Sequence, residues 1–296
     1  MKSNYERFLS YLDSQIHKDA KTSLPFGKRE NVSTITYFEN DYEKTEWLEN
    51  LKNIKNPTIQ YYNKNPIEYN WNKDGFRRFD DYEFEEGGDV NIFLGCSDTM
   101  GQAMHIENTW SYKLHHYIKN DGNENIKYWN LGIGGTGIDT HLRILYFLTK
   151  KYHNKINVKN IFYWAPFRNR FEMYQSDENY YFTMVSKEED ELFLKLPYEL
   201  KWNYMNDSTV GIQYSNHINA MNNIATKLDS NFYVLNYNFI WDWETIVNRE
   251  YNIFNDESYN NKLSFLKARD LSHPSYNDNQ AMFTAFKSLV NKNSLI

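Results

Sequence analysis

The chain has 296 residues, 41% of them hydrophobic and 24% charged, with a net charge of −6 and a pI of about 5.8. That length and composition support one sizeable α/β domain with additions, or two small domains, and exclude a disordered chain. The acidic residues are scattered, no Lys/Arg block is present to track a nucleic-acid backbone, and no run approaches the roughly 20 apolar residues of a membrane-spanning helix, so neither nucleic acid nor a membrane is an expected partner.

In chain order, residues 1–88 are polar, aromatic and weakly periodic. Tyr5, Phe8, Leu9 and Leu12 fit one helical face, and a short helix is predicted from Glu43 to Ile54. Pro57 and Pro66 then punctuate a stretch predicted to be extended, and Glu85-Glu86-Gly87-Gly88-Asp89 is a turn-rich boundary. Beyond it the rhythm changes. Val90 to Leu94 reads as a buried parallel strand, Thr99 to Ile118 as mainly helix, Ile126 to Leu131 as a second strand ending in the glycine turn Gly132 to Gly137, and Ile138 to Tyr152 as a helix. Asn160 to Trp164 is a third strand. Residues 174 to 210 read as an irregular insertion whose run Lys187 to Glu191 is a solvated helix face. Gly211 to Leu228 is a helix, Asn231 to Leu235 a fourth strand, and Asp278 to Asn291 a final helix. Strands alternating with helices predict a three-layer α/β/α domain with a central parallel sheet over residues 89–296, preceded by a mixed, aromatic-rich N-terminal extension of unknown role over residues 1–88. In such sheets ligands bind beyond the carboxyl ends of the strands.

Cys96 is the one cysteine, so an internal disulfide is impossible and no Cys cluster can hold a metal. Met1 to Arg7 carries no apolar run of signal-peptide length. The expectation is a soluble protein kept in a reducing compartment, cytoplasmic or particle-associated. The 25 Tyr, 19 Phe and 8 Trp read most simply as packing residues, and more sharply as platforms for sugar rings.

Three motifs carry chemistry. Ser97 sits directly after a buried strand and before a helix, where a turn exposes a hydroxyl and free helix N–H groups face a developing oxyanion; a plain N-cap has the same appearance. Asp270-Leu271-Ser272-His273-Pro274 places a carboxylate and an imidazole three positions apart in one loop, an arrangement that activates a serine or merely caps a helix. Asn130-Leu131-Gly132-Ile133-Gly134-Gly135-Thr136-Gly137 is a turn whose N–H groups can point at an anion. Its glycines match a dinucleotide fingerprint literally. However, they follow the second strand, and Trp164 rather than an acid ends the next, so no cofactor is expected. The spacing of His105, His115 and His116 is not a metal signature, and they read as surface or packing residues; Asp139 and His141 read as helix-start residues beside the turn.

Together these residues resemble the SGNH/GDSL hydrolase superfamily over about Val90 to Ile296. Gly95-Cys96-Ser97-Asp98-Thr99-Met100-Gly101 is similar to the family's GDSxTxG block, Asn130, Gly132 and Gly135 to its NxGxxG block, and Asp270, His273 and Pro274 to its DxxHP block. Asn70 to Arg77 resembles a short motif that precedes the first block in some phage and bacterial hydrolases of the superfamily. The resemblance implies a flavodoxin-like SGNH fold and a serine esterase with no cofactor or metal. Ser97 would be the nucleophile, His273 the base and Asp270 its orienting carboxylate, with the N–H groups of Ser97 and Gly135 as oxyanion donors. The implied substrate is a small-molecule or glycan ester, such as an O-acetyl group on a carbohydrate. The chain departs from the family in two places. Cys96 replaces the usual Asp, and Asp98 stands as its substitute or as a cap. No Gly-x-Asn follows the third strand; Asn169 takes that role from a longer turn, or Arg168 or Arg170 replaces it or binds an anionic substrate, or Arg170 simply pairs with Glu172 or another surface acid. The alternative is a module of the same fold that binds without catalysis, such as a virion or glycan-binding component.

Overall fold

The computed structural model describes residues 34–37, 41–53, 55–79, 83–120, 125–166, 170–175, 180–185, 207–236, 268, 269, 273 and 275–293. Among the described residues the first elements are strand β1 (Thr34–Thr36) and helices α1 (Asp41–Asn50) and α2 (Pro57–Lys64), followed by strands β2 (Tyr69–Trp71) and β3 (Arg77–Arg78). These three short strands form one antiparallel sheet. The stretch after Pro57 is helical rather than extended. A proline needs no N–H at a helix's first position, and the Asn56 side chain accepts hydrogen bonds from the N–H groups of Thr58 and Ile59. The predicted N-terminal helical face of Tyr5 to Leu12 lies outside the described residues.

Among the described residues the central layer is a four-stranded parallel sheet of β4 (Gly88–Gly95), β5 (Lys127–Gly132), β6 (Ile156–Ala165) and β9 (Asn231–Asn236), in spatial order β5-β4-β6-β9. Side chains alternate between its two faces, as the pleat requires. Val90, Ile92 and Leu94 join Trp129, Leu131, Ile161, Tyr163 and Val234 on one face, under helices α5 (Ile138–Lys151) and α6 (Asp207–Lys227). Phe93, Tyr128, Phe162, Trp164, Tyr233 and Leu235 line the other, under α4 (Trp110–Asn120) and α7 (Tyr276–Asn293). The domain is therefore three-layered, as expected from the strand–helix rhythm, and flavodoxin-like, as the resemblance implies. Register is pinned by a ladder of asparagines: Asn160 Nδ2 donates to Asn91 Oδ1 at 2.8 Å and Asn231 Nδ2 to Asn160 Oδ1 at 3.0 Å. A one-residue slip of either strand would break that ladder and turn the apolar faces over.

Two further sequence expectations are corrected. The stretch Thr99 to Ile118 is not mainly one helix: α3 (Ser97–Met100) ends after one turn because Gly101 takes a left-handed φ of 78°, and the helix α4 starts afresh at Trp110. The insertion is not irregular throughout. Strands β7 (Arg170–Gln175), with two aromatic residues, and β8 (Tyr180–Val185), with three aromatic and two β-branched residues, pair as an antiparallel hairpin. The charged run 187–191 is outside the described residues. Among the described residues no helix is long and apolar enough to cross a membrane.

Phe162 stacks on Phe93 and Tyr233 and meets the edge of Phe286, joining the sheet to α7. Phe162→Ala is expected to cost about 3–5 kcal/mol in urea denaturation. Truncating Ile212, 62% exposed on α6, should cost less than about 0.5 kcal/mol.

Candidate active site

The carboxyl ends of three strands meet on one rung, where Gly95 is in register with Gly132 on one side and Trp164 on the other. The β4→α4→β5 and β5→α5→β6 crossovers place their helices on opposite faces of the sheet, which makes this the point where connections diverge and a crevice opens. The chain leaves Gly95 through Cys96, whose extended backbone (φ −90°, ψ −151°) precedes the first turn of α3. Ser97 opens that turn and is 6% exposed. Its carbonyl accepts the N–H of Gly101 at 2.9 Å and of Gln102 at 3.0 Å, which closes the short helix.

Two residues of the glycine turn fasten to α3. A Cβ at Gly132 would stand 2.2 Å from the Met100 nitrogen, so only glycine lets the end of β5 pass under the helix. Asn130, buried, donates from Nδ2 to the Thr99 carbonyl at 3.1 Å and accepts the Gly132 N–H at 3.0 Å. The sequence matched Asn130 to a motif without giving it a task; its task is to join the serine turn to the glycine turn. Gly135 has a φ of 76°, and the space where its Cβ would stand is empty, so this peptide faces an open region.

Asp98 lies against the floor of the rung. Trp164 Nε1 donates to its Oδ2 at 3.3 Å, and the Cys96 thiol approaches the same oxygen at 3.7 Å. Burial, reinforced by the Asp98 charge, pushes the Cys96 thiol up to about 12, so it is a neutral packer rather than a nucleophile.

Beneath the glycine turn, His141 is fully buried, and burial, aided by the charge of Arg170, drives its pKa down to about 3. The neutral ring orders a proton chain. Thr136 Oγ1 donates to the Ile133 carbonyl at 2.8 Å, so it accepts from His141 Nε2 at 2.8 Å, which leaves Nδ1 to accept from Tyr163 Oη at 3.1 Å. Asp139, at the start of α5, accepts the Glu172 N–H at 2.8 Å and pairs with His217 Nε2 at 2.8 Å. Glu172 itself pairs with Arg143 and not with Arg170. The carbonyl of Arg170 lies against Gly137, 2.6 Å from where a Cβ would stand. Its Nη1 is buried without a hydrogen-bond partner among the described residues.

His273 is half-buried in the loop before α7. On one side of it, Arg269 donates its N–H to the Ala103 carbonyl at 2.7 Å. On the other, the Ser275 hydroxyl and N–H both donate to Asp278 Oδ2 at 2.7 Å, and Asn279 Oδ1 accepts the Trp110 N–H at 3.0 Å. Both anchors of this loop thus attach to the segment 103–110 that follows Ser97. Asp270, Arg168 and Asn169 lie outside the described residues. Of the three histidines read as surface or packing residues, His115 is buried against Phe93 and Tyr128, His105 stacks on Tyr62, and His116 meets Tyr112 and Phe79. Among the described residues no group of three His, Cys, Asp or Glu is placed to hold a metal ion.

No family model matches the chain, and no curated protein matches it. One similar solved structure is that of a carbohydrate acetylesterase family member from Sinorhizobium meliloti, 12% identical, with a TM-score of 0.29, covering 69% of this chain and 98% of that one.

Burial alone would lower the pKa of His217, but the hydrogen bond and charge of Asp139, with the Gln213 carbonyl on Nδ1, reverse this and raise it above its ordinary value of 6.5. The ion pair therefore contributes its full stability below about pH 6.5 and loses it as pH rises through the raised folded-state value. The stability difference between wild type and His217→Gln, measured by chemical denaturation, is expected to be largest near pH 5.5 and to shrink by pH 9.

Proposed function

We propose that the chain is a serine esterase that cleaves a small acyl ester, an O-acetyl group on a carbohydrate being the favoured substrate, through Ser97, His273 and Asp270. The observation that carries this reading is Ser97 on the first turn of a helix at the carboxyl end of the central strand, joined through Asn130 to a glycine turn that opens at Gly135. His273 takes the Ser97 proton while Asp270 holds the imidazole in the useful tautomer. The Ser97 oxygen attacks the ester carbonyl, the N–H groups of Ser97 and Gly135 stabilise the oxyanion, and the alkoxide leaves with the proton from His273. Water, deprotonated by the same histidine, then releases the acid from the acyl-enzyme.

The third oxyanion donor of related hydrolases has no counterpart in Gly-x-Asn form here. Arg170 is the best-supported replacement, with Asn169 and Arg168, its neighbours in sequence, as the other candidates. Its Nη1 is buried and unpartnered among the described residues, its backbone touches the glycine turn at Gly137, and its charge is felt by both Cys96 and His141. A buried donor on a cation is costly to leave unmatched, and an anion developing above Ser97 would match it.

Ser97→Ala is expected to abolish hydrolysis of p-nitrophenyl acetate and of acetylated oligosaccharides while circular dichroism stays unchanged. Full activity in that variant would remove the assignment. Saccharide binding by a wild type that turns over no ester would favour the non-catalytic module. Arg170→Gln is expected to lower kcat about 10²–10³-fold, the usual loss for one oxyanion donor.

A further inference from the structure

Four buried side chains from distant parts of the chain meet beneath the loop that follows Ser97. Glu43 comes from α1, Tyr69 from β2, Arg77 from β3 and Arg269 from the segment before His273, and none is more than 2% exposed. Three of them close a ring of hydrogen bonds around Ala103. The Ala103 N–H donates to Tyr69 Oη at 2.7 Å, and Tyr69 Oη donates to Glu43 Oε1 at 2.8 Å. Arg269 Nη2 donates to the same Glu43 oxygen at 2.6 Å, and the Arg269 N–H returns to the Ala103 carbonyl at 2.7 Å. Arg269 Nη2 also holds the Tyr37 carbonyl at 2.9 Å. Arg77 lies over the Tyr69 ring, 4.4 Å from its centroid, and clamps the carbonyls of Met100, Gly101 and Met104.

Ala103 has a φ of 57°, a left-handed conformation that an alanine adopts only when its surroundings impose it. Both of its backbone polar groups are held by the ring, so the ring is what imposes it. Ala103 is six positions after Ser97, and Arg269 is four positions before His273. The ring therefore sets the loop that bears the histidine against the loop that follows the serine, with the shared carboxylate of Glu43 as its hub.

We infer that Glu43 is a positioning residue: through Tyr69 and Arg269 it fixes the His273 loop relative to Ser97, which gives the segment before the parallel sheet a role in the reaction. This inference rests on the hydrolase reading above. Glu43→Gln keeps the shape of the hub but removes the charge that balances a buried guanidinium. Tyr69→Phe is the milder variant and opens the ring at one edge.

The test compares full-length wild type, E43Q and Y69F by amide hydrogen exchange and by steady-state hydrolysis of p-nitrophenyl acetate. Exchange in peptides spanning 100–104 and 268–273 is expected to quicken in E43Q. Its kcat is expected to fall about tenfold with KM changed less than about twofold, because the defect lies in aligning groups and not in binding. A purely structural role would lower the melting temperature and leave kcat of the folded enzyme intact. Unchanged exchange, or quickened exchange with wild-type kcat, overturns the inference. If E43Q does not fold, Y69F decides by the same two readouts, with a smaller expected loss. A wild type that turns over no ester overturns the hydrolase reading and this role with it; failure of the ring alone is distinguished by an active wild type and a variant equal to it.

Discussion

A guanidinium that is 1% exposed has to find acceptors inside the protein, and Arg77 finds four backbone carbonyls: Glu68, Met100, Gly101 and Met104. Removing such an ion from water costs several kcal/mol, and each charge-assisted hydrogen bond returns about 1.5–3 kcal/mol. Each acceptor lost would leave part of that cost unmet, so the guanidinium favours the shape of the loop 100–104 that presents three of them. Burial also pulls the Arg77 pKa below its ordinary value, yet the group remains far from neutrality at any physiological pH. The short antiparallel sheet and α1 and α2 exist around this requirement. Trp47, Ile59, Tyr62, Ile67, Tyr69 and Trp71 make a separate apolar cluster that reaches Met100 and Tyr276 and shuts water out of it.

The parallel sheet supplies the other half of the arrangement. Its asparagine ladder fixes which residues share a rung, and the rung fixes which turns face one another. Gly132 under α3, Asn130 between the two turns, and the chain from Tyr163 through His141 and Thr136 to the Ile133 carbonyl then leave the glycine turn little freedom. Preorganised backbone donors of this kind stabilise developing charge because they need no reorganisation when it appears. A serine hydroxyl in that setting is what distinguishes the proposed chemistry from simple helix capping.

Much of the α/β domain was legible because its signals are local. Each strand carries a short apolar run, ended in the first three by glycine or by Trp164, and each covering helix repeats its apolar residues at helical spacing. The break after Met100 was not legible: weak helix formers such as Gly101, Asn108, Thr109 and Ser111 are scattered through Thr99 to Ile118 and mark no one breaking point, and what holds Gly101 is Arg77, more than twenty residues away. Pro57 misled for the opposite reason, since a proline that interrupts a helix interior is ideal at its first position. At the site, the order of Ser97, the glycine turn and His273 could be read directly. Glu43 and Arg269 could not, because a charged residue in a polar segment gives no local sign that it will be buried. Their pairing joins positions 226 residues apart.

The central claim is that Ser97 is an activated nucleophile, and covalent capture tests it most directly. Purified protein would be treated with a fluorophosphonate, the modified residue located by peptide mass mapping, and His273→Ala treated alongside. The account predicts a single adduct on Ser97 that forms in the wild type and is lost in the His273 variant. An unlabelled Ser97 in folded wild-type protein, or labelling that persists without His273, would contradict it.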